Sequence, residues 1–394
     1  MCGMAIGLKL KKTDVAMRIG IEAQRIFRKN KHGMDFVALE FIRELQRIDT
    51  PDEYFVFVAP GDDVCLASSK NVHIIELKCP SYPLWEQVAL PMAVCRCKID
   101  LLHCTSNTAP IFCRVPLVLT LHDVIFLEPR QEANKSLYQN LGRVYRRLVV
   151  PRILKKCSKI VTVSESEKKT IESTLCMPGD KLEVEVVYNG YSEHFKPMHN
   201  AAKVAKKYID ADEYLFFLGN TDPKKNVPGT LKAYSLYLER SKKKLPLLIA
   251  DIKDPILDEI LKEIGCSHIR SHIVVPGYIP NKELPYIYGG AKVFLYTSFR
   301  ESFGIPMLEA MACGTPIVAG DKSAMPEIAG DGAVLVDVSS PSCVADAILR
   351  LETDTEYYDE QVRYGLERVK HFSWRHTAER MLHLYDEILN NKKH

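Results

Sequence analysis

The chain of 394 residues contains no apolar run approaching the ~18–20 residues that a membrane-spanning helix needs. A bilayer-spanning protein is therefore not expected. Nor is there much surplus charge of either sign: 53 Lys and Arg stand against 50 Asp and Glu, a net charge of +3. That balance argues against nucleic acid as a partner, and any basic patch must be found locally. Zinc-type cysteine spacing is missing too. Of 12 cysteines, Cys95 and Cys97 form a C-x-C with no second pair to complete a site. Cysteines scattered through a long chain read as reduced thiols in a cytoplasm, and neither disulfides nor a bound metal are expected. Neither half carries G-x-G-x-x-G after its first apolar strand, which weighs against a dehydrogenase.

What is present is a globular composition, 46% hydrophobic and 26% charged, at a length that suggests two domains. Residues 1–16 carry their basic residues after a very short apolar run, the reverse of a signal peptide, and are read as a tail before Met17. From there short apolar strands alternate with helices: MRIGIEA (17–23), YFVFVAP (54–60), VHIIEL (72–77), IDLLHC (99–104), PLVLTLHD (116–123), KIVTVSE (159–165) and EVEVVYNG (183–190). The pattern restarts at YLFFLGN (214–220) and continues through PLLIAD, HIVVPGY, AKVFLYTS, TPIVAGD and GAVLVD. Such alternation predicts βαβ units and parallel sheets buried on both faces. The expected architecture is α/β, two Rossmann-like doubly wound domains facing a deep cleft. Residues 17–195 form the first and 196–372 the second, with a polar linker near 191–203. Ligands of such sheets bind beyond the carboxyl ends of the strands.

The most informative stretch is SFRESFGIPMLEAMACGTPIVAGD, residues 298–321. Phe299 to Gly304 follow the strand FLYTS, a helix begins near Ile305, and Gly314 with Pro316 ends it. Amides from Gly304 to Met307 would then form an anion site suited to a diphosphate. Glu301 lies on the loop and Glu309 about one turn into the helix. Each carboxylate can accept two hydrogen bonds, as vicinal hydroxyls of a sugar or ribose require. Alternatively, Glu309 simply favours the helix N-terminus electrostatically.

This E-x7-E stretch resembles the signature of the retaining group 1 glycosyltransferases of the GT-B fold. The resemblance extends over nearly the whole chain from Met17. It implies that Glu301 contacts the donor sugar and Glu309 the nucleotide ribose, while the backbone of Phe303, Gly304 and Ile305 meets sugar and diphosphate. In FLGNTDPKKNVPGTL (216–230), Lys225 and Asn226 match the family's K-N, with Lys225 neutralising the diphosphate. Gly219-Asn220 stands where many members have Gly-Arg, and Lys224 is read as the compensating cation. The pattern G-N-x-x-P-x-K-N is similar to bacterial mannosyltransferases that use GDP-mannose. Gly277, Tyr278 and Ile279 correspond to the loop that lines the base. Pro326-Glu327 corresponds to the far wall of the site. In the first domain the resemblance implies that His122 lies beside the donor sugar, that Asp123 orients its loop, and that Gly33 belongs to an acceptor loop.

The implied reaction transfers a hexose from a nucleotide sugar to a saccharide or lipid-linked acceptor, without cofactor or metal. Two other readings use the same residues: a sugar-nucleotide epimerase and a non-catalytic nucleotide-sugar-binding subunit. The resemblance also implies that the C-terminal helix, residues 373–394, crosses back onto the first domain. The helix 136–157 combines Leu137, Leu141, Val144, Tyr145 and Leu148 with Arg143, Arg146, Arg147, Lys155 and Lys156. It is either a packing helix with a solvated basic face or a surface that rests on an anionic membrane. The expected location is cytoplasmic, with the inner face of the plasma membrane as the site of any such contact.

Overall fold

A computed structural model describes residues 16–127, 137–175 and 182–391, with the side chains of 137–140 left out. The tail reading of residues 1–16 falls almost wholly outside the described residues, as does Ser136. The chain divides into two compact units. One comprises residues up to Val163, Lys168–Val187 and Trp374–His394; the other comprises Ser164–Glu167 and Tyr188–Ser373. Residues 188–195, read from the sequence as part of the first domain, sit with the second unit. Their aromatic contacts account for this: Tyr188 packs against Phe303 and Phe372, and Phe195 against Tyr288.

The first unit is built on a seven-stranded sheet. Its strands are β1 (Arg18–Glu22), β2 (Glu53–Val58), β3 (Val72–Glu76), β4 (Leu101–Cys104), β5 (Leu117–Thr120), β6 (Lys159–Thr162) and β7 (Val184–Val186). They lie in the order β3-β2-β1-β4-β5-β6-β7, and every pairing is parallel. The second unit holds β8 (Leu215–Leu218), β9 (Leu247–Ala250), β10 (Ile273–Val274), β11 (Val293–Tyr296), β12 (Ile317–Gly320) and β13 (Val334–Val336), in the order β10-β9-β8-β11-β12-β13. These pairings are also parallel.

Each sheet grows outward from its first strand in one direction and then the other. The order reverses between β1 and β4 in one unit and between β8 and β11 in the other. At such a reversal the two connections leave on opposite faces and open a crevice at the carboxyl ends.

Apolar periodicity explains the layers. In the helix Gly33–Arg47, Leu39, Ile42 and Leu45 are buried against β1 and β2 residues such as Ile19 and Tyr54. Phe36, read from spacing as part of the same face, is exposed at its edge. HIVVPGY yields only the two-residue strand β10. Pro276 has no N–H to donate to a ladder, and Gly277 takes φ +73°, a left-handed turn.

The last helix, Trp374–Asn391, contributes Met381, Leu384, Tyr385 and Ile388 to the core around β1 of the first unit. Its Tyr385 hydroxyl pairs with His103 Nδ1 at 2.6 Å, and His103 Nε2 pairs with Thr120 Oγ1 at 2.7 Å. Burial holds His103 down at about 3, so the ring is neutral and each nitrogen has one partner. Replacing Tyr385 with Ala removes a fully buried aromatic and leaves His103 half-satisfied. The expected cost is about 3–5 kcal/mol in urea unfolding, with the transition of the first unit shifted. A loss below about 1 kcal/mol would mean that the helix does not seal this core.

Candidate functional site

In the second unit the order reversal sets two loops side by side. One runs from Gly219 to Lys225 beyond β8; the other runs from Thr297 to Gly304 beyond β11. Main-chain and side-chain bonds tie them together. Phe299 N–H donates to Lys224 O at 2.8 Å, and Asn226 Nδ2 donates to Thr297 O at 3.2 Å and to Val338 O at 3.0 Å. Asn226 takes left-handed backbone, φ +54°, at the start of the helix Val227–Arg240. Its amide hydrogens both go to main-chain carbonyls. Asn226, expected from the sequence at the donor site, thereby shapes the loop that presents Lys225.

Lys225 Nζ donates to Glu301 Oε1 at 2.7 Å, with 16% and 11% of the two side chains exposed. The ammonium also lies 5.3 Å from the centroid of the Tyr296 ring, a cation–π distance. Glu301 is held by its own backbone as well. Its N–H donates to Ser323 Oγ, and the same hydroxyl donates to Glu301 O, both at 2.9 Å. The carboxylate is therefore fixed while Lys225 reaches it from the other side of the reversal.

The helix Ile305–Ala312 starts at Gly304, which takes φ +109°. A side chain there would strain the backbone and put a Cβ 2.9 Å from Met307 Cε and 3.5 Å from the Tyr296 ring. The run of amides expected from Gly304 to Met307 is shorter in the structure. Pro306 has no N–H and Met307 N–H donates to Gly304 O, which leaves the amides of Gly304 and Ile305. Glu309 is half-buried and accepts from the Tyr288 hydroxyl at 3.1 Å. Burial lifts its carboxyl to about 7. Tyr278 stands out as a phenol ring 85% exposed beside Gly277, while Ile279 is buried. Phe303 packs with Tyr188 and Phe372, so only its backbone is available to a ligand.

The first unit has its own polar set at the carboxyl ends of its sheet. His122 is buried just beyond β5. Its N–H donates to Asn107 Oδ1 at 2.6 Å and its Nε2 lies 3.0 Å from Thr105 O. Burial pushes this imidazole below its usual range, toward the neutral form. Gly33 opens the helix Gly33–Arg47, and a Cβ built on it meets no heavy atom within 4 Å. Packing therefore does not demand a glycine there. Nearby, Arg25 Nε meets the buried Asp35 Oδ1 at 3.0 Å. Glu22, the last residue of β1, is fully buried and accepts from the N–H groups of Gln24 and Thr105. Desolvation raises it to about 7.

Two family models match the chain. Residues 32–194 match Glycosyltransferase Family 4, and residues 200–368 match Glycosyl transferases group 1. O-antigen chain mannosyltransferase B of Escherichia coli is 29% identical over 273 residues, covering 68% of this chain and 69% of that protein. Serotype-specific mannosyltransferase WbdA of Escherichia coli is 25% identical over 246 residues, which cover 60% of this chain. The match spans only 30% of that longer relative. Among solved structures, sucrose-phosphate synthase from Thermosynechococcus elongatus superposes with a TM-score of 0.74 at 17% identity, covering 95% of this chain and 100% of the other. Anabaena HepE in complex with UDP and glucose gives 0.71 at 17% identity, covering 94% and 99%. These structural likenesses speak to the fold.

The chain is a group 1 glycosyltransferase of the GT-B fold.

In this glycosyltransferase, Lys225, Glu301, Gly304, Ile305 and Glu309 all sit around the β8/β11 reversal. Gly219 is buried at the end of β8, and Asn220 Oδ1 accepts from Asp222 N–H at 2.9 Å. Lys224 is partly exposed on the same loop. His122 and Gly33 belong to the first unit, each at a strand-end connection of that sheet. Sequence reasoning missed Tyr296, Tyr288, Ser323 and the Arg25–Asp35 pair. Tyr296 ends β11, where an aromatic reads as core. Ser323 takes left-handed backbone, φ +54°, which its serine identity does not signal. Asp251 was missed too; it follows β9 with φ +62°, within electrostatic reach of Lys225.

A half-buried ion pair leaves a costly charge when one partner is removed and little cost when both go. Lys225→Met is expected to lower stability by about 1–3 kcal/mol, with the lower end set by residual solvent access. The double variant Lys225→Met/Glu301→Gln should recover more than half of that loss in denaturant unfolding. Additive losses in the double variant would show that the two charges do not interact in the folded state.

Proposed function

We propose that this glycosyltransferase moves a hexose from a nucleotide-diphosphate sugar to a saccharide or lipid-linked saccharide acceptor, with retention at the anomeric carbon. Mannose from GDP-mannose is the first donor to try. The observation that carries the reading is the Lys225–Glu301 ion pair set against the Gly304 helix start at the β8/β11 reversal. The mannosyltransferase relatives support a hexose, and a neighbour solved with UDP and glucose supports a nucleotide-sugar class of donor.

Lys225 and the amides of Gly304 and Ile305 would hold the diphosphate, with Lys224, Gly219 and Asn220 along the same loop. Glu301 would accept hydrogen bonds from the sugar hydroxyls and Glu309 from the ribose. Exposed Tyr278 offers a face on which a base can stack, with Ile279 beneath. His122 and Gly33 are assigned to the sugar and acceptor side from the first unit.

In the chemical step the bond between the anomeric carbon and the β-phosphate oxygen breaks. The acceptor hydroxyl forms the new bond on the same face, and its proton passes to the departing diphosphate. Preorganised positive charge where negative charge grows is commonly the largest catalytic contribution. Lys225 and the two amides supply it here, and no step is assigned to a metal. The work would take place in the cytoplasm.

Incubation of the protein with GDP-mannose or UDP-glucose and candidate acceptors, read by proton NMR of the anomeric signal, checks the reading. Free nucleoside diphosphate and a glycoside of unchanged anomeric configuration are expected. Lys225→Ala and Glu301→Gln should each cut turnover by about 10²–10³-fold while the chain remains folded. An isomeric sugar nucleotide with no new glycoside would make the protein an epimerase. Donor binding without hydrolysis or transfer to any acceptor would make it a non-catalytic binder.

A further inference from the structure

Between Val163 and Lys168 the chain leaves the first unit for four residues, and Ser164–Glu167 belong to the second. They include the first turn of the helix Glu165–Leu175. The first N–H groups of a helix have no partner within it. Here two of them go to one side chain distant in sequence. Glu165 N–H donates to Glu327 Oε1 at 2.7 Å, and Ser166 N–H donates to Glu327 Oε2 at 2.9 Å. The Ser164 hydroxyl accepts from Glu167 N–H at 3.1 Å. A carboxylate bridging two N–H groups at a helix start gains from charged hydrogen bonds and from the helix dipole together.

This four-residue strap lies along the loop that carries Glu301. The same Ser164 hydroxyl donates to Ser302 O at 2.7 Å, and Ser164 is fully buried. The Arg300 guanidinium lies 3.6 Å from the carboxylate of Glu167, whose side chain is buried. The residues on either side of Glu301 are therefore both gripped by the strap. Ser302 also leads through Phe303 into the Gly304 turn, so a fixed Ser302 carbonyl constrains the amides of Gly304 and Ile305.

Glu327 is held in its turn. It lies in the helix Met325–Ala329, where Arg368 Nη2 donates to Glu327 O at 2.6 Å and Arg368 Nε to Ile328 O at 2.9 Å. Just before this helix, Ser323 bonds the backbone of Glu301. The stretch Ser323–Glu327 thus meets the Glu301 loop twice, directly through Ser323 and through the strap by way of Glu327. Neither route uses the Glu301 carboxylate, which stays on Lys225. Both oxygens of Glu327 are committed to main-chain N–H groups, which suits holding a neighbour better than contacting a substrate.

We infer that Glu327 and Ser164 are positioning residues for the donor site. Through the strap they hold Arg300 and Ser302, and so set where Glu301 presents its carboxylate and where the Gly304 amides point. Their catalytic consequence rests on the donor role given to Glu301 above, whereas the brace itself does not. A reacting group misplaced by about 1 Å can cost on the order of 10²-fold in rate, so a brace of this kind acts on turnover.

Amide hydrogen exchange of the full chain, read by mass spectrometry with no donor present, tests the brace. Glu327→Gln keeps the side chain's shape but sets an NH2 group against one of the two N–H donors, and Ser164→Ala removes the hydroxyl. Each should speed exchange in residues 299–304 by about tenfold or more, while β8 and β11 exchange as in the wild type. In transfer assays with a nucleotide sugar that the wild type uses, each should lower kcat by about 10–100-fold and move the donor KM by less than about threefold. A role in stability alone would lower the thermal midpoint and leave kcat per folded molecule unchanged. Should Glu327→Gln unfold, Ser164→Ala carries the test, because it leaves both Glu327 bonds in place. Unaltered exchange at 299–304 in the folded variants overturns the proposal, and so does faster exchange with wild-type kcat. A wild type that transfers from no nucleotide sugar removes the donor reading instead, and the exchange result still decides whether the strap holds the loop.

Discussion

An ion pair across a strand-order reversal is the constraint on which the rest of the second unit depends. Lys225 comes from the loop after β8 and Glu301 from the loop after β11. Those strands are neighbours only because the sheet grows outward from β8 in both directions. Neither loop would hold its charge in place alone. Asn226 fixes the first by grasping Thr297 O, and Ser323 fixes the second by bonding both the N–H and the carbonyl of Glu301. Beneath them, Tyr296 lends its ring face to the ammonium and its edge to Gly304. A cation held this way is partly desolvated and already aimed, so little reorganisation is needed when an anion arrives.

The first unit uses the same topology for different residues. Its reversal lies between β1 and β4, and Glu22, Thr105, Asn107 and His122 gather at the strand ends there. These groups are buried and bonded to each other, so they form a stiff polar floor. Arg25 lies on the connection that follows β1 and pairs with Asp35 in the helix that Gly33 opens. The closing helix Trp374–Asn391 joins this core through the Tyr385–His103–Thr120 chain. The second unit thus gathers a lysine–glutamate pair at its reversal, and the first gathers buried, mutually bonded polar atoms.

Much of this was readable in the sequence, because short apolar runs set between helices can bury themselves only as parallel sheets. The Gly304–Pro306 start of the helix was also legible, since left-handed backbone and a missing N–H restrict what can stand there. Three features resisted. Asn226 matches the K-N pair, but the match does not show that its amide ties the loop to carbonyls distant in sequence. Tyr296 and Ser323 acquire their roles from neighbours that only the folded sheet brings near. Leu141, Val144 and Leu148 have the spacing of a core stripe, and periodicity cannot tell which face of a helix meets the protein.

The most direct measurement of the central claim is a crystal structure of the protein with a bound nucleoside diphosphate. The account predicts the β-phosphate within about 3 Å of Lys225 Nζ and of the amides of Gly304 and Ile305, with Glu301 giving up part of its bond to Lys225. The ribose should lie against Glu309. A diphosphate bound elsewhere, with the Lys225–Glu301 pair untouched, would contradict the account.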